Sequence, residues 1–382
     1  MTEVGASKRA APEARDGART GAFEYVFPAI RGVQAGREYY VTMCPLRLIP
    51  RIFLFDEEEL APEMRAQRTL NKARVPEIAR YIIDNTDSYV FSALTASVDA
   101  EVHFEPIQAQ GPSERVGTLT IPMSARFVIN DGQHRRAGIQ QALAENPDIG
   151  DESIAIVLFL DVGLDRSQQM FADLNRHAVR PAKSIGVLYD HRDELSALTR
   201  LVVLRSPFLQ DLTEAETSNL AQRSRKLFTL SALYTANKAL LEGTEDEPFE
   251  RRVDLATRYW ELVADQFPEW GQVFKREITA GEVRQDFIHT HGIVLHALGK
   301  VGHSLVKENP DPTTWVAPLR KLKKLDWHRS SNTWDGRAVI GGRVSKSAAN
   351  VLLTTAIIRK TVGLPLLPDE QRAEDAFQGG ER

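Results

Sequence analysis

Six consecutive residues, Asp131, Gly132, Gln133, His134, Arg135 and Arg136, stand in the stretch RFVINDGQHRRAGIQQALAE, where an apolar strand pattern gives way to a helical one. With RFVIN as a strand and a helix from near Arg135, Asp131 falls at or near the N-cap. Gly132 then permits a tight turn and close approach of a ligand to the backbone. Amides of the first helical turn would face the same space as His134, Arg135 and Arg136. Oriented donors, a favourable dipole end and guanidinium forks together make a phosphate-binding arrangement. An unperturbed imidazole titrates near neutrality, so His134 could donate to a phosphate or take part in proton transfer. The same residues also fit a plainer pattern, a capped turn with basic residues on a solvated helix face. The stretch alone leaves both open.

A second cluster lies upstream. In RAQRTLNKARVPEIARYI, Arg65, Arg68, Lys72, Arg74 and Arg80 face one acid, Glu77. Arg68 and Arg74 are the preferred residues for a second wall of the pocket; a DNA-backbone contact and a solvated helix face are the alternatives. A third concentration runs from Arg320 to Lys346. There Arg320, Lys321, Lys323, Lys324, Arg329, Arg337, Arg343 and Lys346 are opposed only by Asp326 and Asp335, and Trp315, Trp327 and Trp334 are interleaved. Basic residues with aromatics between them are the footprint of a phosphate-tracking surface. Tryptophans packed in a helical core with lysines solvating its edge would give the same pattern.

Other arrangements carry less. GGRVSKS lacks the GxxxxGK[ST] spacing of a P-loop, with Ser345 where the motif needs glycine. His289, His291 and His296 do not repeat at the i, i+4 interval that presents two metal ligands on one helix face, and no carboxylate accompanies them. Cys44, in YYVTMCPLRLIP, is the single cysteine. It excludes a disulfide framework and a cysteine-rich zinc or iron–sulfur site, fits a reducing cytoplasm, and reads as a buried structural residue.

The formal charge of −4 provides no global attraction for nucleic acid, so any polyanion site must come from local clustering. No apolar run reaches the roughly 18 residues of a membrane span. The first twenty residues have no apolar signal-peptide core and are expected to form a flexible leader.

The elements that would position these residues follow from period and length. FEYVFPAI, REYYVTMCPLRLI, IFLF, YVFSALTASV, RFVIN and SIAIVLFLDV read as strands, the last of them central. VPEIARYIIDN, RAGIQQALAEN and SQQMFADLNRHA read as helices, the first with Pro76 in its first turn. From Asp193 to Val362 helical spacing dominates, in DELSALTRLVVL, KLFTLSALYTANKALLEG, RRVDLATRYWELVADQF, DFIHTHGIVLHALGKVGHSLV and KSAANVLLTTAIIRKTVG. The expected organisation is a flexible leader (1–22), an α/β (α+β) domain (23–190), a mainly α-helical domain (191–363) and a flexible polar tail (364–382).

DGQHRRAG resembles the signature of the DGQHR-domain family, a branch of the ParB and sulfiredoxin-like superfamily. FPAIRGVQAGREYYVTMCPLRLIPRIFLFDEEE, RAQRTLNKARVPEIARYI, YVFSALTAS and QQMFADLNRHAVRPAKS are similar to the DndB family of the DNA phosphorothioation (DNA sulfur modification) system. The resemblance covers most of 23–190 and extends less distinctly into the helical half. It implies a ParB/sulfiredoxin-like fold for the first domain and a turn, Gly132, Gln133, His134 and Arg135, that binds nucleotide phosphates. Asn175 and Arg180 stand where ParB-type domains place an Asn and an Arg on phosphates and a metal. An Asn carbonyl can ligate Mg2+ and an Arg can clamp phosphate in two-pronged fashion. Asn175 as a helix C-cap, with Phe171 and Leu174 in the core, is the alternative. Lys183 and Ser184 would close the pocket.

The function this implies is a cytoplasmic DNA-binding repressor of a phosphorothioation gene cluster. It would act as a homodimer on double-stranded operator DNA, contact other phosphorothioation proteins and modulate the extent of modification. The alternative is a DNA-stimulated nucleotide hydrolase using ATP or CTP with Mg2+, with Asp131 or His134 positioning water. A nuclease is a weaker variant, and a scaffold that docks modification enzymes is a third possibility.

Overall fold

Alternating burial along two early segments produces a hairpin: β1 (Glu24–Gln34) and β2 (Arg37–Pro45) pair antiparallel from Ala29↔Thr42 to Gln34↔Arg37. Its turn residues Ala35 and Gly36 both have positive φ, 50° and 72°, the handedness that matches strand twist in two-residue hairpins. β3 (Leu94–Asp99), β4 (His103–Pro106), β5 (Val116–Pro122), β6 (Arg126–Asp131) and β7 (Ser153–Leu160) complete a seven-stranded sheet of order β4-β5-β1-β2-β7-β3-β6. Only the β3–β7 pairing is parallel. SIAIVLFL thus lies inside the sheet, as its unbroken apolar run predicts.

The computed structural model describes residues 23–53, 73–162, 166–176 and 182–380. The chain divides into two compact units, Met1–Val179 and Arg180–Arg382, and the first is the mixed α/β one. IFLF is not a strand in its described part: Ile52 ends a short helix, α1 (Ile49–Ile52), and Phe53 follows it into the core. Pro50, whose fixed φ suits a first helical turn, accounts for the difference.

Two longer helices, α2 (Arg74–Ile83) and α3 (Gln133–Glu145), pack on each other in this unit. Gly138 makes this possible, since a Cβ built there would lie 2.4 Å from Ile78 Cγ2. A fourth helix, α4 (Ser167–Arg176), packs against β6. Cys44 is fully buried among the core residues of the sheet, and desolvation pushes its thiol up to about 12. That is the inert structural cysteine expected of an apolar strand.

The second unit is mainly helical. It includes α5 (Leu230–Leu240), α6 (Phe249–Ala264), α7 (Ala280–Asp286), α8 (Gly292–Glu308), α9 (Ala348–Val362) and α10 (Pro368–Gly380). α8 is the central helix, packed on α5 and α9. A Cβ at Gly299 would stand 2.2 Å from the Ala236 carbonyl, so α5 and α8 touch backbone to backbone there. DFIHTH, expected as part of that helix, precedes it: Phe287 N–H bonds back to Val283 at the end of α7, and α8 starts only at Gly292. No helix among the described residues is long and apolar enough to cross a membrane.

All five tryptophans are buried in this unit. Each indole N–H is satisfied, Trp260 by Asn237 Oδ1, Trp270 by His289 Nδ1, Trp315 by the Asn309 carbonyl, Trp327 by the Leu322 carbonyl and Trp334 by the Asp326 carbonyl. Trp315, Trp327 and Trp334 are therefore core residues rather than stacking platforms for bases, because a large ring with one satisfied donor is most stable fully buried.

The polar tail is also corrected. Residues 368–380 are helical, and Glu370 and Glu374 on α10 are both 2% exposed or less. Glu370 Oε2 lies 2.8 Å from Arg359 Nε as an ion pair and accepts the Leu367 N–H at 2.9 Å. Glu374 pairs with Arg337 and with Lys360 at 3.0 Å. A segment that looks solvated by composition is instead held by carboxylates directed at buried cations.

Candidate functional site

Asp131 is the last residue of β6, and Gly132, at φ 105°, is the left-handed residue from which α3 departs. A Cβ at Gly132 would meet Leu94 Cδ2 at 2.4 Å and Arg135 Nη2 at 3.0 Å, so both backbone angle and space require glycine. No side chain caps α3, and its ladder begins with the Arg136 N–H on the Gly132 carbonyl at 2.9 Å. Asp131 does not cap the helix. It accepts from Arg135 Nη2 at 2.6 Å, while Arg135 Nη1 bonds the Ser92 carbonyl at 3.2 Å and the Ser92 hydroxyl. The guanidinium is thus fixed across the turn, 15% exposed, against a carboxylate that is half exposed.

Arg136, expected beside Arg135 in the same space, turns the other way. It is buried and donates to the Phe53 carbonyl at 2.9 Å and to Gln140 Oε1 at 2.5 Å, holding the end of α1. Neighbouring residues on a helix are about 100° apart, so one arginine faces the turn and the next faces the core.

His134 is part-buried in the first turn of α3. Burial first, and then the charge of Arg74, hold its imidazole below the ordinary value, against an opposite pull from Asp131. Arg74 is the first residue of α2, and Ile78 meets Gly138 one turn further along both helices. α2 and α3 therefore start at the same end, and two positive helix termini adjoin the glycine turn. With Asp131 and Arg135 cancelling each other, Arg74 and the two helix ends are the surplus positive charge. Gln133 lies at the first helical position, part-exposed.

The neighbouring block is anchored to the same strand. Asn130, fully buried just before the motif, donates through Nδ2 to Ser97 Oγ at 2.7 Å and accepts from Ser167 Oγ at 2.9 Å. Buried Asp161 accepts the Arg166 N–H with both oxygens, at 3.3 and 3.1 Å. Together they fix the start of α4 beside the end of β6 and keep every polar group of this buried cluster partnered. Sequence reasoning missed Ser92, Ser97, Asn130, Asp161 and Ser167. The sequence signal was there for Asn130 alone, a polar residue ending the apolar run next to the motif.

Asn175 lies on α4, with its side chain outside the described residues, as are Arg68 and Arg180. Ser184 is fully buried within the second unit, with its hydroxyl donating to the Thr217 carbonyl at 2.9 Å. For a nucleotide phosphate the donors at the turn fit. For Mg2+ the one carboxylate placed there among the described residues, Asp131, is already paired, and no group of three His, Cys, Asp or Glu side chains assembles among them.

The basic segment of the second unit separates into two sets. Arg320, Lys323, Lys324, Arg343 and Lys346 are exposed, and Arg329 is part-exposed with Nη2 on the Gly342 carbonyl at 2.6 Å. Lys321 and Arg337, expected on the DNA surface, are used internally. Lys321 Nζ bonds the Val362 carbonyl at 3.0 Å and caps α9, a favourable place for a cation. Arg337 is buried against Glu374, its Cζ 4.4 Å from the Phe377 ring centroid. A guanidinium so paired and stacked has no free face for phosphate.

His291, the N-cap of α8, is part-buried, with Nε2 3.1 Å from the Arg284 carbonyl. Burial first, with Arg329 and Lys346 adding to it, lowers its imidazole to about 4. The unfolded state then binds the extra proton between pH of about 6.5 and about 4, so stability falls as pH drops through that window, by up to about 3 kcal/mol. Urea midpoints at pH 7 and pH 5 should separate less in His291→Asn than in the wild type. An equal separation would remove His291 as the source.

A family model described as DndB, DNA-sulfur modification-associated, matches residues 27–365, spanning both units. No curated protein and no solved structure matches the chain.

Proposed function

The chain belongs to the DndB family, which is associated with DNA sulfur modification, and from that premise we propose that it is a DNA-binding regulator of a phosphorothioation gene cluster. The observation that carries this reading is the set of exposed cations, Arg320, Lys323, Lys324, Arg343 and Lys346, in a chain of net charge −4. Local charge of this kind releases counterions from duplex DNA and supplies affinity that falls with salt. The glycine turn of the first unit, with Arg74, His134 and two helix starts, takes a nucleotide or DNA phosphate and tunes that affinity. Operator symmetry favours a homodimer, and repression of the modification genes would follow from occupancy of their promoter.

The test is binding to a labelled promoter fragment of the modification genes and to a scrambled duplex across a salt series. The promoter should bind more tightly by about 10³ or more at physiological salt. Arg320→Gln, Lys323→Gln and Lys324→Gln together should lower the salt slope by about one for each phosphate contact removed. Affinities for the two duplexes that never differ would end the regulator reading.

One observation favours a second reading, a DNA-stimulated nucleotide hydrolase. An imidazole held below its ordinary value is neutral at pH 7 and can accept a proton, and His134 is in that state beside the anion-binding turn. Phosphate release from ATP or CTP with Mg2+ and DNA, no greater in the wild type than in His134→Ala, would remove it.

A further inference from the structure

The second unit holds a cavity of about 430 Å³ at the start of α8, and its lining contains Arg284, Arg329 and Lys346 but no Asp or Glu among the described residues. Arg284 stabilises the wall: its guanidinium donates to the carbonyls of Ala221 at 2.7 Å and Gln222 at 3.0 Å. Gly281 lets that wall approach, since a Cβ there would fall 2.5 Å from the Gln222 carbonyl. The floor is the open end of a 17-residue helix without a side-chain cap. The ladder of α8 begins with Val294 and Leu295 N–H on the His291 carbonyl, leaving the Gly292 and Ile293 amides at the open end.

Two independent features distinguish this helix end. Lys346 Nζ would be 3.0 Å from a Cβ on Gly292, which places an ammonium over the positive end of a helix. Thr290, which lines the cavity and is 4% exposed, has an Oγ1 with no hydrogen-bond partner among the described residues. A buried hydroxyl without a partner is unfavourable unless something bonds it. An anion between Lys346, Arg329, Thr290 and the two amides resolves both at once.

We propose that this cavity is a phosphate site separate from the glycine turn, taking a phosphomonoester or phosphodiester group on Lys346, Arg329, the Thr290 hydroxyl and the first amides of α8. The phosphate can come from a free nucleotide, for which the volume suffices, or from a DNA backbone. The site is built wholly from the second unit, so it stands whether or not the turn binds phosphate.

Lysine acetylation read by mass spectrometry tests it on the full chain, with inorganic pyrophosphate as the probe. At about ten times Kd, pyrophosphate should slow acetylation of Lys346 about tenfold, while exposed Lys323 and Lys324 react as before. Thr290→Val, which keeps the shape, should lose most of the protection, and Thr290→Ser should keep it. Arg135→Ala should protect Lys346 as the wild type does, which separates this site from the turn. ATP or a short duplex, whichever protects at the lower concentration, identifies the source. Equal labelling of Lys346 with and without pyrophosphate overturns the proposal, as does equal protection of Lys323 and Lys324, or Thr290→Val behaving as wild type.

Discussion

Gly132→Ala should destabilise the first unit by roughly 2–4 kcal/mol, the sum of a left-handed backbone angle forced on an L side chain and a methyl driven into packed atoms. Leu94, whose Cδ2 would stand 2.4 Å away, is fully buried and cannot swing clear. Domain stabilities are about 5–15 kcal/mol, so this is a large fraction of the total. The single cysteine offers a clean reading: Cys44 is buried in that unit, and its reaction with a thiol reagent in rising urea reports this unit's opening alone. The reaction should begin at lower urea in Gly132→Ala. An unchanged midpoint would mean that the turn does not depend on its positive φ. Arg135→Ala, which removes a part-buried tether but no backbone constraint, should shift the midpoint far less.

Removal of residues 364–382 should unfold the second unit at much lower denaturant. The truncation strips Glu370 and Glu374 from Arg359 and Arg337, which are 2% and 8% exposed. Breaking one buried ion pair by deleting a partner costs about 3–5 kcal/mol, because the other charge is left without compensation. Tryptophan emission follows this unit, since all five indoles are there. A truncated chain with the wild-type midpoint would contradict the buried pairs. Glu374→Gln in the full-length chain should reproduce part of the loss. The pH dependence has a defined sign. Burial alone would raise Glu374, but hydrogen bonds from Arg337 and Lys360 outweigh it and hold the carboxyl below its ordinary value. Its contribution is therefore present above the ordinary carboxylate range and is lost as pH falls through the lowered value.

Those two experiments bear on what the sequence made legible. Period and punctuation identified α2, α3 and the interior strand β7, because each signal is local: Pro76 in a first turn, apolar residues recurring on one helix face, an unbroken apolar run. Gly132 was legible for the same reason. What escaped was decided by partners distant in sequence. Glu370 and Glu374 look like solvated acids until Arg359 and Arg337 are seen facing them. Arg337 looks like its exposed neighbours until α10 covers it. Arg135 and Arg136 differ only by one step of helix rotation, yet one spans the turn and the other anchors α1. The three tryptophans of the basic segment carry the same composition whether they stack on bases or fill a core; the carbonyls that accept from their indoles decide for the core.

The buried amide of Asn130 has a consequence for anyone grafting this motif. It bonds Ser97 on one side and Ser167 on the other, so the end of β6, the middle of β3 and the start of α4 share one side chain. A turn transplanted without Ser97 and Ser167 would carry an amide stranded in apolar surroundings, while a cassette that moves all three keeps the strand end and the helix in register. The transferable unit is the triad and the elements it ties together, larger than the six residues that first draw the eye.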